Sequence, residues 1–273
     1  MKRIFVVLIL AASGIFSIAE GQARGQDTSL TLEKLFSRLV TCTEDADRLR
    51  INDSIEFIIG NYAESDTVFT HKFANLKFLG QVTSKNSQLK IITWNLLLKD
   101  SESRYYCYFI HNSGKKNQVH RLEGKYSEAQ VKSDTIYSEK DWYGALYYDL
   151  RLYKKENQSY WVLLGIDLGN PSITRKIIDV LSFIPDGGIV FGKKLFASGE
   201  VTKYREVLEY SSEAVISLKF LTDKSIIFDH LVPVSPALKG KKEYYGPDFS
   251  YDAYNIEKGI WRFKSDVDVR NKK

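Results

Sequence analysis

Two carboxylates near the middle of the chain have a spacing that could support hydrolysis. Asp149 and Asp167 lie in two aromatic and aliphatic runs that a short polar segment joins, a pattern that predicts a β-hairpin. If Leu150 pairs with Leu164 across a five-residue loop at 155–159, both carboxylates share one strand face. Their carboxyl groups would then lie roughly 5–9 Å apart, as in glycosidases. An envelope hydrolase of glycosidase type is therefore one functional hypothesis.

The same predicted face is aromatic. Tyr147 and Trp161 lie on it beside the two carboxylates, and Gly165 leaves room for a backbone or a ligand to approach. Tyr and Trp side chains provide rigid contact area for a protein or a sugar ring. A second packed layer, or solvent, over this face is the simpler explanation. As a binding surface, it would consist of Tyr147, Asp149, Trp161 and Asp167.

Asp229 and His230 are the neighbours that most resemble part of a catalytic site. Matching the apolar faces of the two flanking runs pairs Ile216 with His230 and Ser217 with Asp229, so the aspartate and the histidine point to opposite faces. A hydrolytic triad requires convergent side chains, and His230 is therefore predicted to be structural. The four histidines show no zinc-binding spacing. No metal or cofactor is predicted.

A long loop is predicted between Pro233 and Asp248, where three of the five prolines lie within 15 residues. Long loops are often functional, and Tyr244 and Tyr245 could contact a partner there. Asp248 follows Gly-Pro and is also typical of a turn. The alternative is a rigid strap across the end of a sheet.

Cys42 and Cys107 are the only cysteines. In an oxidising compartment they could form a disulfide bond. The alternative is two buried thiols that pack as small apolar side chains.

Residues 1–19 have the pattern of a signal peptide. Lys2 and Arg3 precede a mostly apolar run, and Ser17-Ile18-Ala19 offers a cleavage site before a polar leader at 20–27. A membrane anchor is the alternative, but the run is shorter than the roughly 20 residues that span a bilayer. We expect a periplasmic or secreted protein without a transmembrane span after cleavage.

The rest of the chain changes from a helical to a strand pattern. Residues 28–62 repeat apolar side chains at helical spacing, which predicts a helical region packed on a sheet, with an amphipathic membrane-binding helix as the alternative. Residues 63–273 contain short strand patterns separated by turn signals. The fold class is therefore mainly β with an N-terminal helical region (α+β), in an antiparallel meander sheet, sandwich or open barrel.

Charge excludes one large class of partners. The chain has 39 Lys and Arg against 34 Asp and Glu, with the charges interspersed. So small an excess of positive charge gives no reason to expect that the protein binds nucleic acid.

Several motifs resemble a family of exported proteins of Bacteroidetes bacteria for which no activity is known. The resemblance extends from about Leu89 to Asn271, and it implies an envelope location without assigning a catalytic residue. It rests on Trp142–Tyr148, Leu164–Asp167, Asp229–Leu231, Pro233, Ser235, Pro236, Tyr244–Asp248, Ser250, Asp252 and Trp261. With no catalytic motif recognised, the preferred hypothesis is a non-enzymatic binding or structural module for a protein or glycan of the envelope.

Overall fold

The computed structural model describes residues 27–99, 103–114, 116–127, 131–156 and 158–268. The predicted signal peptide at 1–19 lies outside the described residues, as does the leader except for Asp27. The chain divides into two compact units, Met1–Phe78 and Leu79–Lys273.

The first unit contains the two predicted helices. Helix α1 spans residues 27–41 and helix α2 spans Asp45–Glu64. Each helix buries an apolar stripe, because residues three and four apart share one face. The buried side chains include Leu32, Phe36 and Leu39 of α1 and Ile51, Ile55 and Ile59 of α2. Within the described part of the chain, no helix has both the length and the hydropathy of a membrane span.

The second unit contains three β-sheets. Sheet A has the order β1-β2-β3-β4, and sheet C has the order β11-β10-β16-β15-β14-β13. Sheet B has the order β5-β9-β8-β7-β6, and β12 also pairs with β8. The strands are β1 Gly80–Thr83, β2 Leu89–Leu97, β3 Ser103–Asn112, β4 Asn117–Lys125, β5 Tyr137–Ser138, β6 Leu146–Lys155, β7 Gln158–Asp167, β8 Ile173–Phe183, β9 Ile189–Phe191, β10 Phe196–Ser198, β11 Val201–Lys203, β12 Glu206–Ser211, β13 Leu218–Thr222, β14 Ser225–Pro233, β15 Tyr245–Glu257 and β16 Ile260–Lys264.

The predicted fold class is confirmed: the chain is mainly β with N-terminal helices. Among the described strands, every pairing is antiparallel except that of β10 with β16. This arrangement follows from the short, turn-separated strand patterns of the sequence.

Sheet B is the middle layer of the second unit. Side chains on successive positions of a strand point to opposite faces, and on β7 both sets are apolar. Trp161 and Leu163 enter a first core that sheet B shares with sheet A. Tyr160, Val162 and Leu164 enter a second core that it shares with sheet C. Sheet B is therefore buried on both faces, and the predicted second layer over the aromatic face is present.

The register predicted for the β6–β7 hairpin is wrong by one residue. Leu150 pairs with Leu163 rather than Leu164, and Lys155 pairs with Gln158. The loop therefore has two residues instead of five. Glu156, with φ of 49°, adopts the left-handed conformation that such short hairpin loops require. Apolar alternation did not reveal this register because both faces of the hairpin are buried.

The register predicted for the β13–β14 hairpin is confirmed. Leu218 pairs with Phe228, which is the register that places Ser217 opposite Asp229. The Asp229 amide donates to the Ser217 carbonyl at 3.2 Å, and the Ser217 amide donates to Asp229 Oδ2 at 2.6 Å. Asp229 therefore serves as a local structural acceptor.

Cys42 and Cys107 are both free cysteines in the structure, and they belong to different compact units, so the candidate disulfide stays a prediction. Cys107 is fully buried in the first core. Burial raises the pKa of this thiol well above its ordinary value, because the charged thiolate is poorly solvated there. The alternative interpretation, a buried thiol acting as a small apolar side chain, describes Cys107.

Candidate functional site

Asp167 is a buried structural carboxylate. It accepts hydrogen bonds from the Tyr105 hydroxyl at 2.7 Å and from the Gly169 amide at 2.9 Å, and Arg175 Nη1 lies 3.2 Å from its other oxygen. Arg175 also donates to Glu209 Oε1 at 2.8 Å. Burial raises the pKa of Asp167, although these hydrogen bonds oppose the shift. The carboxylate is thus fully engaged within the first core.

Asp149 lies on the other face of sheet B. A β-bulge at 147–149 shifts the strand, and Asp149 interacts electrostatically with Tyr153, which packs against the second core. Its Oδ1 accepts from the amide of Leu150 at 2.8 Å. Asp149 and Asp167 therefore do not form the predicted pair of carboxylates, because the bulge and the one-residue register shift separate their faces.

Tyr147 and Trp161 are buried, so the predicted contact face is covered by sheet A. Tyr147 accepts a hydrogen bond from Trp142 Nε1 at 3.1 Å. A Cβ atom on Gly165 would lie 3.0 Å from the Tyr147 ring, so the space left by Gly165 is filled by Tyr147. Trp161 is 4% exposed and makes an edge contact with Phe183 at 5.4 Å between ring centroids. These aromatic side chains are not accessible to a partner.

The predicted loop is shorter than expected and spans residues 234–244, between β14 and β15. Tyr244 is exposed at its end. Tyr245 is half-buried, accepts from the Gly240 amide at 3.0 Å and has Lys242 Nζ 4.3 Å from its ring centre. Asp248 is exposed and accepts from the Ser250 amide at 3.1 Å. Tyr244 thus ends the loop, and Tyr245 and Asp248 lie at the start of β15.

A β-bulge interrupts β15 just after this loop. Asp229 pairs with Tyr251 and Leu231 pairs with Pro247, so β15 advances four residues while β14 advances two. Proline lacks the amide that would continue the ladder, and the Asp248–Ser250 hydrogen bonds stabilise a turn instead. Bulges often occur next to functional sites, where they redirect a side chain.

The side chain that this bulge redirects is Phe249. It is 93% exposed and has φ of 70°, a left-handed conformation that costs a residue with a Cβ roughly 1–2 kcal/mol. Because the Phe249 ring is exposed, packing of the ring does not offset this backbone strain. Backbone strain of this kind is concentrated at functional sites.

Other exposed apolar side chains lie on the segments that flank the bulge. The Val234 amide donates to the Tyr244 carbonyl at 3.0 Å, and Ala214, next to Val215, lies against Gly246. Exposed apolar surface often marks an interaction site, and these backbone contacts place Val234, Tyr244 and the segment with Val215 close to the start of β15. We refer to these four exposed side chains as the bulge surface: Val215, Val234, Tyr244 and Phe249.

His230 lies opposite the bulge on β14 and is paired. Its Nδ1 lies 2.8 Å from Asp252 Oδ2, and Asp252 Oδ1 accepts from the Asp266 amide at 3.3 Å. The His230 side chain is 40% exposed, whereas that of Asp252 is 7% exposed. The hydrogen bond to Asp252 is the main cause that raises the pKa of His230, and the charges of Asp252, Asp248 and Asp266 add to it. His230 is therefore hydrogen-bonded, as expected, and its structural role stays a prediction.

Replacing Asp252 by asparagine is expected to lower the pKa of His230 towards its ordinary value of 6.5. In the unmodified protein the His230–Asp252 pair stabilises the fold fully below pH 6.5. This stabilisation is lost as the pH rises through the higher pKa that His230 has in the folded state. Titration of the His230 ring by NMR measures both values. An unchanged pKa in Asp252→Asn would show that the pair does not set it; Asp248→Asn is the matched control, with a smaller expected shift.

Of the four side chains of the bulge surface, the sequence pointed only to Tyr244, whereas Val215, Val234 and Phe249 were not predicted. One signal was present: Pro247 lies inside what is otherwise a strand pattern, and proline within a sheet indicates an edge or a bulge. The partner of His230 was missed because Asp252 lies on the adjacent strand β15, 22 residues away in sequence, where it pairs with Phe228. Within the described residues, no group of three or more His, Cys, Asp or Glu side chains could hold a metal ion.

Comparisons with protein-family models, with curated proteins and with solved structures find no match to this chain. The resemblance to exported Bacteroidetes proteins thus stays a prediction.

Proposed function

We propose that this protein is an exported, β-rich binding module of the bacterial envelope that contacts a partner protein through the bulge surface. The observation that carries the proposal is Phe249, an aromatic side chain that a β-bulge holds in solvent in a left-handed conformation. Aromatic side chains at the centre of an interface contribute much of its binding energy.

The composition of the bulge surface favours a protein over a glycan. Val215 and Val234 are aliphatic and exposed, and they suit apolar side chains better than hydroxyl-rich sugars. The aromatic side chains on which sugar stacking was predicted, Tyr147 and Trp161, are buried in the first core. The lysines of the neighbouring loop, among them Lys239 and Lys241, are exposed and would favour an acidic rim on the partner.

The hydrolase alternative lacks its geometric basis, since Asp149 and Asp167 lie on opposite faces of sheet B. Export is supported by the sequence pattern of residues 1–19 alone. A periplasmic or secreted location belongs to the proposal on that ground.

Site-specific photo-crosslinking in the organism that makes the protein tests this function. A benzophenone amino acid replaces Phe249 in one variant and Val201 in a control variant, because Val201 is also exposed but lies on β11 at the other edge of sheet C. We expect irradiation to attach a distinct second protein to the chain labelled at 249 and not to the chain labelled at 201.

Two results would contradict the proposal. The first is equal cross-linking from both positions, which indicates non-specific contact. The second is the absence of any protein adduct at position 249, which would leave the exposed phenylalanine without a protein partner. Adding Val234→Ser to the chain labelled at 249 should reduce the adduct if the bulge surface acts as one interface.

A further inference from the structure

A cavity of about 250 Å³ lies at the edge of sheet B, away from the bulge surface. Three segments line it, one from each sheet of the second unit. They are the β1–β2 turn with Ser84, Lys85 and Asn86, the β6 segment from Leu150 to Tyr153, and the β13–β14 turn with Asp223. A concave site that combines apolar walls with a few convergent polar groups is the usual form of a small-molecule site.

Two cations in this cavity share one carboxylate. Arg151 Nη1 lies 2.5 Å from Asp223 Oδ1, and Lys85 Nζ lies 3.6 Å from the same oxygen. The three side chains therefore carry one net positive charge. An anion that enters the cavity restores neutrality.

The Arg151 guanidinium is held in place, and its existing contacts do not use all of its N–H groups. Its guanidinium carbon lies 4.4 Å from the centre of the Phe220 ring, and only 20% of its side chain is exposed. Among the described residues it donates a hydrogen bond to Asp223 alone. The remaining N–H groups of the guanidinium form a planar fork, which matches the two oxygens of a carboxylate.

The backbone of β6 adds polar groups to the same wall. Among the described strands, β6 is the last strand of sheet B and pairs only with β7. Because a two-residue hairpin loop closes on a hydrogen-bonded pair, alternate residues of β6 point their amide and carbonyl groups away from β7. The Leu150 amide is one of these, and it donates a hydrogen bond to Asp149 Oδ1 at 2.8 Å. Leu152 is the next such position, and it lines the cavity.

We propose that this cleft binds a small organic acid, with its carboxylate held by Arg151 and Lys85 and its apolar body against Leu150, Leu152 and Tyr153. The net positive charge selects an anion over a neutral or cationic molecule. The volume limits the ligand to a small molecule, since sites for drug-sized ligands begin near 300 Å³. This site is separate from the contact with a partner protein proposed above.

Benzoate is the probe, with benzamide as the isosteric neutral control. Both are titrated into the uniformly ¹⁵N-labelled protein up to about 10 mM. This is roughly ten times the dissociation constant of about 1 mM expected for so small a ligand. We expect benzoate to produce saturable shifts in the amides of Lys85, Leu152 and Asp223 and in the Arg151 side-chain Nε–H. Benzamide is expected to produce none that saturate.

Three variants separate binding from structure. Arg151→Gln and Lys85→Gln should each weaken benzoate binding, the former about tenfold, because a charge-assisted hydrogen bond is lost. Asp223→Asn should strengthen it, because a competing carboxylate is removed. Lys140→Gln makes the same charge change as Lys85→Gln beside β5, at the opposite edge of sheet B, and should leave binding unchanged.

The proposal is overturned if benzoate gives no saturable shifts, if benzamide binds equally well, or if both glutamine variants bind like the unmodified protein. Lys85 lies in an exposed turn, so its variant stays informative even if Arg151→Gln fails to fold. Weaker rather than stronger binding by Asp223→Asn would also contradict the arrangement, since it would assign Asp223 to ligand binding instead of competition.

Discussion

Replacing Arg205 by methionine is expected to lower the free energy of unfolding by about 3–5 kcal/mol, because it leaves a buried carboxylate without its partner. Arg205 is fully buried, and its Nε donates to Asp179 Oδ2 at 3.0 Å. Its other nitrogens donate to the carbonyl groups of Lys132, Thr135 and Phe191 at 2.5, 2.7 and 3.0 Å. One side chain thus ties the segment before β5, strand β8 and strand β9 together.

Urea unfolding followed by tryptophan fluorescence measures this effect. The matched control is Arg262→Met, because Arg262 pairs with Glu257 on the surface, where both side chains are about half exposed. That pair should contribute less than about 1 kcal/mol. Equal midpoints for the two variants would show that Arg205 does not hold these segments together.

Trp161→Ala is expected to destabilise the fold by about 3–5 kcal/mol, because truncating a buried tryptophan leaves a cavity. Trp161 is 4% exposed and contacts His111 and Phe183 at 6.0 and 5.4 Å between ring centroids. The urea midpoint of the variant reports the loss directly.

Phe249→Ala is the control for this second variant, since it also removes an aromatic ring but from a side chain that is 93% exposed. Its midpoint should change little. If Trp161→Ala leaves the midpoint unchanged, Trp161 does not belong to the first core, and the hairpin face returns to the set of contact surfaces.

The fold class could be predicted because it depends on local patterns. Short apolar strands between turn signals predict antiparallel sheets wherever they occur. The β13–β14 register could also be predicted, since Leu218 and Phe220 enter the second core while Lys219 between them is exposed. One-sided burial makes the alternation unambiguous.

The β6–β7 register could not be predicted for the converse reason. Trp161 and Val162 are both buried, on opposite faces of β7, so a shift of one residue costs no apparent hydrophobic contact. The binding residues inferred from that register, Tyr147, Asp149, Trp161 and Asp167, were consequently placed on one face.

The bulge surface depends on long-range placement that no local pattern contains. Tyr244 could be singled out because it lies in one proline-rich segment with Tyr245 and Asp248. Val215 comes from a distant part of the chain, and its neighbour Ala214 lies against Gly246. The cleft at β6 is assembled in the same way, from two turns and a strand segment that belong to three different sheets.

The parallel pairing of β10 with β16 also determines when the second unit can fold during synthesis. Phe196 of β10 pairs with Trp261 of β16, and both are fully buried in the second core. That core remains incomplete until residue 261 can reach β10, whether the chain emerges from the ribosome or, as proposed here, is exported first. Domains with many such distant pairings fold slowly, so the second unit is expected to fold only after nearly all of its residues have been made.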